Sequence, residues 1–166
     1  PLISESTLTD LIQHHNSNKL SATILTTNMK NPTGYGRIIR NSHAKVLAIK
    51  EHKDCSKKEQ EITEINSGVY AFDTNLLAKF IEEISTNNTQ AEYYLTDIIE
   101  ILKKENYLVD AVCIENSDEV IGINTRLDLA NINKIKFTEN VTTHMKNGVT
   151  ILDPKSTFID SEVSIK

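Results

Sequence analysis

Five short polar stretches of the sequence hold the residue types that bind sugars, phosphates or metal ions. The first is NPTGYGRI at residues 31–38, in which two glycines flank a tyrosine. Because glycine lets a ligand approach the main chain where a Cβ would collide, the backbone of Gly36 is a candidate binding group. The stretch is not a dinucleotide-binding fingerprint, since GxGxxG would need a glycine where the chain has Ile39. A plain loop between two strands is the alternative.

The second and third stretches each place a hydrogen-bonding side chain beside a predicted strand. Glu51 opens the run EHKD directly after a strand, and its carboxylate could accept hydrogen bonds from sugar hydroxyls. Asn66 lies in EINSG, and its amide offers a donor and an acceptor, which suits an N-acetyl group or a pair of hydroxyls. Taken alone, the first run also fits a solvated charge run, and the second also fits ordinary turn chemistry.

The fourth stretch is EYYLTD at residues 92–97. Glu92 and Thr96 are four residues apart, so they would lie on one face of a helix, either lining a pocket or simply exposed. Tyr94 shares a helical spacing with Ile98 and Leu102, so its ring could equally belong to the core. The stretch therefore predicts three candidate pocket residues without deciding between the two interpretations.

The fifth stretch, GINTR at residues 122–126, precedes a predicted helix. The side-chain oxygen of Asn124 could bind Mg²⁺, because this ion prefers oxygen donors. The alternative is that Asn124 merely neighbours a helix cap. A zinc site needs three or four convergent ligands. The histidines and cysteines do not indicate one, because no HxxxH or CxxC spacing occurs.

The elements that must position these residues alternate between strands and helices. The predicted strands are residues 22–27, 46–51, 68–72 and 108–114, and residues 120–123 are one further candidate strand. Apolar residues at helical spacing predict helices at residues 6–15, 76–84 and 94–102, and a longer one from 125 toward 145. This alternation favours the α/β class.

The end of the chain carries a helix boundary and then a different pattern. Thr125 and Asp128 resemble a capping box, and Gly148 fits the stop of the helix that the box begins. In the tail, Ile159 and Ile165 are six residues apart, which is compatible with one rung of a hexapeptide β-helix. A single rung cannot bury its own core, so the spacing alone favours an ordinary extended tail.

The composition indicates a globular domain and excludes several classes of protein. The 166 residues suffice for one ordinary domain, and 39% hydrophobic with 25% charged residues is a soluble balance. A net charge of −5 argues against a broad nucleic-acid surface. No apolar run approaches the roughly 20 residues that span a bilayer, and residues 1–5 do not resemble a signal peptide. The two cysteines, far apart in sequence, favour reduced thiols in a cytoplasmic protein.

Together and in this order, the stretches are specific. NPTGYGRI, EHKD, EINSG, NNTQAEYYLTD, GINTR and GVTILDP resemble the family of bacterial bifunctional N-acetylglucosamine-1-phosphate uridyltransferases/glucosamine-1-phosphate acetyltransferases, over essentially the whole chain. The resemblance implies a Rossmann-like domain that uses Mg²⁺ and couples UTP to N-acetylglucosamine 1-phosphate, giving UDP-N-acetylglucosamine and pyrophosphate. It also implies a second domain, a left-handed β-helix, that uses acetyl-CoA and makes the family trimeric. The product feeds peptidoglycan and lipopolysaccharide synthesis.

The same resemblance implies a division of the chain. Residues 1–124 would be the C-terminal half of the uridyltransferase domain, 125–147 a linker helix, and 148–166 the first rung of the left-handed β-helix. This reverses the preference for an ordinary tail that the spacing alone gave. Neither a nucleic-acid partner nor a membrane is expected.

By resemblance, the Gly36 backbone, Glu51 and Asn66 contact the N-acetylglucosamine moiety of the sugar nucleotide. Asn124 resembles one of two protein ligands of the Mg²⁺ and also belongs to the sugar-nucleotide site. Glu92, Tyr94 and Thr96 would lie at the sugar pocket. The chain departs from the family at one nearby position, because Ala91 stands where the family usually has glycine. The extra methyl group is tolerable if the backbone there is helical.

A larger departure is at the start of the chain. In the family, a Gly-rich loop with Arg and Lys, and an Asp that is the other Mg²⁺ ligand, precede the Pro-Leu pair that Pro1 and Leu2 match. The resemblance therefore implies that these 166 residues supply the sugar pocket, hold no catalytic residue and are inactive alone. Two alternatives are a non-catalytic sugar-nucleotide-binding module that begins at Pro1, and a related nucleotidyltransferase for another sugar or base. Whether the encoding reading frame extends upstream distinguishes the binding-module alternative from the enzyme fragment.

Overall fold

The computed structural model describes residues 2–123 and 125–165, which form two compact units. The larger unit, Ile3–Val120, contains five strands and four α-helices among its described residues. In chain order these are α1 (Glu5–Ser17), β1 (Ala22–Asn28), β2 (Arg37–Arg40), β3 (Val46–Lys50), α2 (Lys57–Gln60), β4 (Glu64–Phe72), α3 (Thr74–Phe80), α4 (Asp97–Lys104) and β5 (Val109–Ile114). Short 3₁₀ turns follow β3, α3 and β5, at His52–Asp54, Ile81–Glu83 and Ser117–Val120.

The five strands form one mixed sheet in the order β3-β2-β4-β1-β5. The β1–β5 pair is parallel, whereas β2 is antiparallel to β3 and β4, and β4 is antiparallel to β1. Because the parallel pair needs a long crossover, the chain runs from β1 to β5 through the other strands and through α3 and α4. The sheet confirms the α/β class.

Helices cover both faces of the sheet. Consecutive residues of β1, Ile24 and Leu25, are both fully buried although they point to opposite faces. Ile24 packs in a cluster with Phe80 of α3 and Leu102 of α4, and Leu25 packs with Leu11 of α1. Each such side chain stabilises the fold by about 1.5–3 kcal/mol through burial, so the central strands are fixed from both sides.

A β-bulge interrupts the pairing of β1 with β4. Ile24 pairs with Tyr70 and Thr26 pairs with Asn66, so residues 67–69 of β4 lie opposite the single residue Leu25. Gly68 lies in this bulge with φ +81°, a conformation that glycine adopts without a steric penalty. The Ser67 hydroxyl donates to the Leu25 carbonyl over 2.6 Å, which satisfies a backbone group at the interruption.

The structure corrects three predictions of local structure. β2 was not predicted, because it is only four residues long and both of its ends are arginines. The helix predicted to include Tyr94 begins only at Asp97, so Glu92 and Thr96 do not share a helix face. The candidate strand at 120–123 is absent, since a 3₁₀ turn ends at Val120 and residues 121–123 have no regular structure.

The smaller unit contains α5 (Arg126–Lys146) and the tail. The capping box is confirmed: Asp128 N–H donates to the Thr125 hydroxyl over 3.1 Å, and the Thr125 N–H donates to the Asp128 carboxylate over 2.8 Å. Gly148, with φ +97°, follows the end of the helix. The tail folds back on α5, because the rings of Phe137 and Phe158 lie edge to face with centroids 5.3 Å apart.

The tail holds turns, and its described residues, 149–165, include no strand. Asn140 of α5 donates its side-chain N–H to the Ile159 carbonyl over 2.9 Å, and Ile159 is buried. No helix within the described parts of the chain is both long and apolar enough to cross a membrane.

Candidate functional site

Gly36, Glu51 and Asn66 meet at one place in the larger unit. A Cβ built on Gly36 would lie 3.4 Å from Glu51 Oε1, 3.5 Å from Asn66 Cβ and 3.1 Å from a methyl carbon of Ile49. The last distance is shorter than ordinary van der Waals contact, so a side chain at position 36 would push on its neighbours. Glycine at this position therefore keeps the carboxylate and the amide close to the backbone.

The strand order explains why these distant residues converge. Gly36 immediately precedes β2 and Glu51 immediately follows β3, and these antiparallel neighbours bring the two residues side by side. Asn66 lies in β4, the other neighbour of β2, and its backbone N–H donates to the Gly36 carbonyl over 2.9 Å. Three adjacent strands thus position the three residues on a rigid support.

Thr96 completes this group, which we name the Glu51 cluster: Gly36, Glu51, Asn66 and Thr96. Thr96 is buried at the start of α4, and its hydroxyl donates to Glu51 Oε1 over 3.1 Å. It holds the N-cap position of α4 but makes no side-chain capping bond. The threonine at the helix start is therefore used to orient a carboxylate.

Burial raises the pKa of Glu51 above the usual glutamate value. The hydrogen bond from Thr96 acts in the opposite direction, and the nearby carboxylates of Asp54 and Asp97 raise the pKa further. Among the described residues, no salt bridge joins Glu51 to a cationic side chain that would favour its charged form. The Glu51 carboxylate is a strong acceptor for the hydroxyl or amide hydrogens of a ligand.

The amide of Asn66 is oriented by two groups of its own strand. Its Oδ1 accepts a hydrogen bond from the Gly68 N–H over 3.1 Å. Its side chain also interacts with the phenol of Tyr70, whose pKa burial raises to about 12 against the effect of that interaction. Tyr70 was missed from the sequence, although residues 66, 68 and 70 have the spacing of one strand face.

Tyr94 lies near the Glu51 cluster but is not part of it. Tyr94 and Glu51 both line a cavity of about 580 Å³, a volume within the range of small-molecule sites. Gly36, Asn66 and Thr96 do not line that cavity. The Tyr94 hydroxyl accepts a hydrogen bond from the Gln90 side chain over 2.6 Å.

The Glu92 side chain is exposed, and the hydrogen bonds of this residue to Asn88 are made by its backbone. The Asn88 side chain accepts from the Glu92 N–H over 3.2 Å and donates to the Glu92 carbonyl over 2.6 Å. Ala91 precedes it with φ +53°, in the left-handed region rather than in a right-handed helix. An L-residue pays about 1–2 kcal/mol there, so the condition under which the extra methyl group was expected to be tolerable, a helical backbone, is not met.

Asn124, the residue expected to bind Mg²⁺ and the sugar nucleotide, lies outside the described residues. Among the described residues, no group of three or more His, Cys, Asp or Glu side chains could hold a metal ion. The described oxygen donors of the Glu51 cluster come from one carboxylate, one amide and one hydroxyl. They suit hydrogen bonding to a polar ligand, and by themselves they do not form a magnesium site.

The mixed sheet, with helices on its two faces and the Glu51 cluster beside three adjacent strands, defines an α/β domain. Residues 2–120 match the family described as Nucleotidyl transferase, and the chain belongs to that family. This fits the sequence-based resemblance, which named nucleotidyltransferases of the sugar-nucleotide type.

The chain is also similar to curated proteins named bifunctional protein GlmU. It is 48% identical to the protein of Acetivibrio thermocellus and 49% identical to that of Clostridium perfringens, over 165 residues in each case. The protein of Listeria monocytogenes is 46% identical over 165 residues. Each of these alignments covers 99% of this chain and 36% of the relative, so the chain spans about a third of the length of its curated relatives.

A solved structure shows the same fold. It is a crystal structure of a protein from Bacillus anthracis, assigned as a glucose-1-phosphate thymidylyltransferase and solved with sucrose. The TM-score is 0.56 at 15% sequence identity, and the match covers 90% of this chain and 52% of the other. At this identity the likeness concerns the fold alone.

Proposed function

We propose that the chain is the sugar-binding part of an N-acetylglucosamine-1-phosphate uridyltransferase. The whole protein would join UTP to N-acetylglucosamine 1-phosphate and release UDP-N-acetylglucosamine and pyrophosphate. The observation that carries this proposal is the convergence of Gly36, Glu51 and Asn66 from three strands. The similarity to bifunctional GlmU proteins over nearly the whole chain supports it.

Each residue of the Glu51 cluster has a proposed role in holding the N-acetylglucosamine moiety. The Gly36 backbone contacts the sugar at close range, because no side chain intervenes. Glu51 accepts hydrogen bonds from sugar hydroxyls, and Thr96 keeps the carboxylate turned toward them. The Asn66 amide, held at Gly68 and Tyr70, pairs with a donor and an acceptor of the ligand. Tyr94 and Glu92 are proposed to lie at the edge of the pocket.

Phosphoryl transfer needs the phosphates positioned and their charge neutralised. Asn124 is proposed as one protein ligand of a Mg²⁺ ion, which would supply that neutralisation when bound. The described cluster is acidic and contributes no positive charge, so we propose that these 166 residues alone do not turn over UTP. What this chain does is to bind and orient the sugar.

The remaining proposals concern the rest of the chain and of the protein. Residues 1–124 would belong to the uridyltransferase domain, 125–147 to a linker helix, and 148–166 to the first rung of a left-handed β-helix. In the whole protein, that β-helix would acetylate glucosamine 1-phosphate with acetyl-CoA and assemble a trimer. The protein would act in the cytoplasm, in the supply of sugar nucleotide for the cell wall.

Calorimetric binding of UDP-N-acetylglucosamine to the chain tests the proposal. We expect Glu51→Ala and Asn66→Ala each to weaken binding by about 1–3 kcal/mol, since each removes a half-buried group that would hydrogen-bond the ligand. Glu5→Ala, on the exposed surface of α1, is the matched control and should bind like the wild type. UDP-glucose, which lacks the N-acetyl group, should bind more weakly to the wild type.

Three results would contradict parts of this function. Equal binding by wild type and both cluster variants would remove the assignment of the site. Tighter binding of another sugar nucleotide would favour a related nucleotidyltransferase. Turnover of UTP and N-acetylglucosamine 1-phosphate by the purified chain, above a blank, would refute the proposal that the chain is inactive alone.

A further inference from the structure

Arg37 is the largest side chain that the structure buries completely, with 1% of its surface exposed. Among the described residues, no carboxylate forms an ion pair with its guanidinium. Its Nε has no hydrogen-bond partner there either. A buried cation without an anionic partner opposes folding, so stability does not explain an arginine at this position.

The guanidinium connects three segments, two of which adjoin residues of the Glu51 cluster. Its Nη1 donates to the Tyr35 carbonyl. Its Nη2 lies 3.3 Å from His52 Nδ1 and 3.5 Å from the Gln60 carbonyl. Because arginine has donors only, His52 Nδ1 must be the acceptor. One side chain thus holds the segment before β2, the turn after β3 and the end of α2.

Two of these contacts lie next to the proposed sugar-binding groups. The Tyr35 carbonyl belongs to the peptide bond whose N–H is that of Gly36, and the bond is trans. In a planar trans peptide the C=O and N–H point in opposite directions, so fixing the carbonyl at Arg37 directs the Gly36 N–H away from the guanidinium. His52 directly follows Glu51, so the second contact fixes the point from which the Glu51 side chain extends.

We propose that Arg37 is a positioning residue of the sugar site. It fixes the orientation of the Tyr35–Gly36 peptide plane and the start of the His52 turn. In this way it holds the Gly36 backbone and the Glu51 carboxylate in the positions that the sugar needs. The proposal rests on the proposed function for the identity of the ligand. Lysine cannot replace Arg37, because a single ammonium lacks the planar fork that reaches separate acceptors at once.

Arg40 offers a matched control in the same strand. Its guanidinium binds both oxygens of Glu64 over 2.7 Å and the Ala44 carbonyl over 2.8 Å, so its bonds go to residues outside the Glu51 cluster. Binding of UDP-N-acetylglucosamine to the full chain would be measured for Arg37→Lys, Arg37→Met and Arg40→Lys. Amide NMR signals of Gly36 and His52, recorded without ligand, provide a second measurement.

We expect Arg37→Lys to stay folded and to raise Kd about tenfold, as the loss of one buried hydrogen bond to a charged donor would. Arg40→Lys should change Kd by less than about twofold, because its bonds lie away from the ligand. The Gly36 and His52 signals should move in Arg37→Lys and stay in place in Arg40→Lys. If Arg37→Met fails to fold, Arg37→Lys alone decides.

Several outcomes overturn the proposal. One is an Arg37→Lys variant with wild-type affinity, whether or not its signals move. Another is equal movement of the Gly36 signal in Arg40→Lys, which would indicate general destabilisation. If the wild-type chain binds no UDP-N-acetylglucosamine, the proposed function fails. The amide signal of His52, which is 15 positions from the substitution, then decides the role of Arg37: movement confined to Arg37→Lys supports it, and an unmoved signal overturns it.

Discussion

The hydroxyl of Thr96 donates to Glu51 Oε1 over 3.1 Å, although the two residues are 45 positions apart in the chain. Thr96 stands at the N-cap of α4, where a threonine hydroxyl usually accepts from the helix backbone. The helix therefore begins without a side-chain cap, and the hydroxyl instead donates to the Glu51 carboxylate at the end of β3. This relationship links the start of α4 to the proposed sugar site.

Replacing Thr96 by valine should remove this link and keep the shape of the side chain. Because the Thr96 hydrogen bond lowers the pKa of Glu51, its loss should raise that pKa further. We also expect the free energy of unfolding to fall by about 1 kcal/mol. A ¹³C NMR titration of the Glu51 carboxyl and urea unfolding measure the two effects. Thr86→Val, at an exposed position, is the control and should leave the Glu51 pKa unchanged. An unchanged Glu51 pKa in Thr96→Val would contradict the hydrogen bond between Thr96 and Glu51.

The raised pKa of Glu51 predicts how stability depends on pH. The folded chain retains a proton on Glu51 at pH values where the unfolded chain has released it. This contribution to stability is fully present below the usual glutamate pKa and is lost as the pH rises through the raised value. Glu51→Gln cannot ionise, so it should gain stability relative to the wild type as the pH rises from about 4. Urea unfolding of both chains across this range would refute the claim if the difference were flat.

Glu59 predicts the opposite dependence. Hydrogen bonds from the Ser56 side chain, Lys50 and the Ser56 backbone lower its pKa to about 2. Its contribution to stability is present above the usual glutamate pKa and is lost as the pH falls toward about 2. We expect Glu59→Gln to lower the free energy of unfolding by about 1 kcal/mol at neutral pH. The loss should shrink in acid, whereas Glu61→Gln, at an exposed neighbour, should cause no comparable loss at neutral pH.

Ala91→Gly should stabilise the chain. Ala91 has φ +53°, where an L-residue is strained by about 1–2 kcal/mol, whereas the greater freedom of glycine when unfolded costs about 0.4–1 kcal/mol. The net gain should be a few tenths to about 1 kcal/mol, measured as a higher midpoint of thermal unfolding. Ala78→Gly, at an exposed position inside α3, is the control and should lower stability by about 1 kcal/mol. Equal destabilisation by both changes would contradict the strain at position 91.

Elements with strong local signals were predictable from the sequence. The capping box of Thr125 and Asp128 gave the start of α5, and the β-branched run of β1 gave the strand at the centre of the fold. β2 was not predictable, because four residues ending in arginine owe their strand conformation to pairing with β3 and β4. Tertiary pairing, which a single sequence does not display, decided that element.

The candidate site shows the same limit. Gly36, Glu51 and Asn66 were each identified from short motifs, but their convergence depends on the order β3-β2-β4, which no local pattern encodes. The helix face predicted for Glu92 and Thr96 was wrong, because Ala91 adopts a left-handed conformation and α4 begins only at Asp97. Arg37 was passed over as part of a loop motif, since its complete burial is visible only in the fold.

The bulge in β4 has a consequence for how the sequence can vary. A deletion of Gly68 together with Ser67 or Val69 would allow β4 to pair regularly with β1 and would keep its side chains on the same faces. Such a deletion favours a more regular ladder, but it would shift Asn66 along the strand relative to Tyr70 and remove the backbone N–H that holds its amide. Selection for stability and selection for ligand binding would therefore act in opposite directions on the length of a single strand.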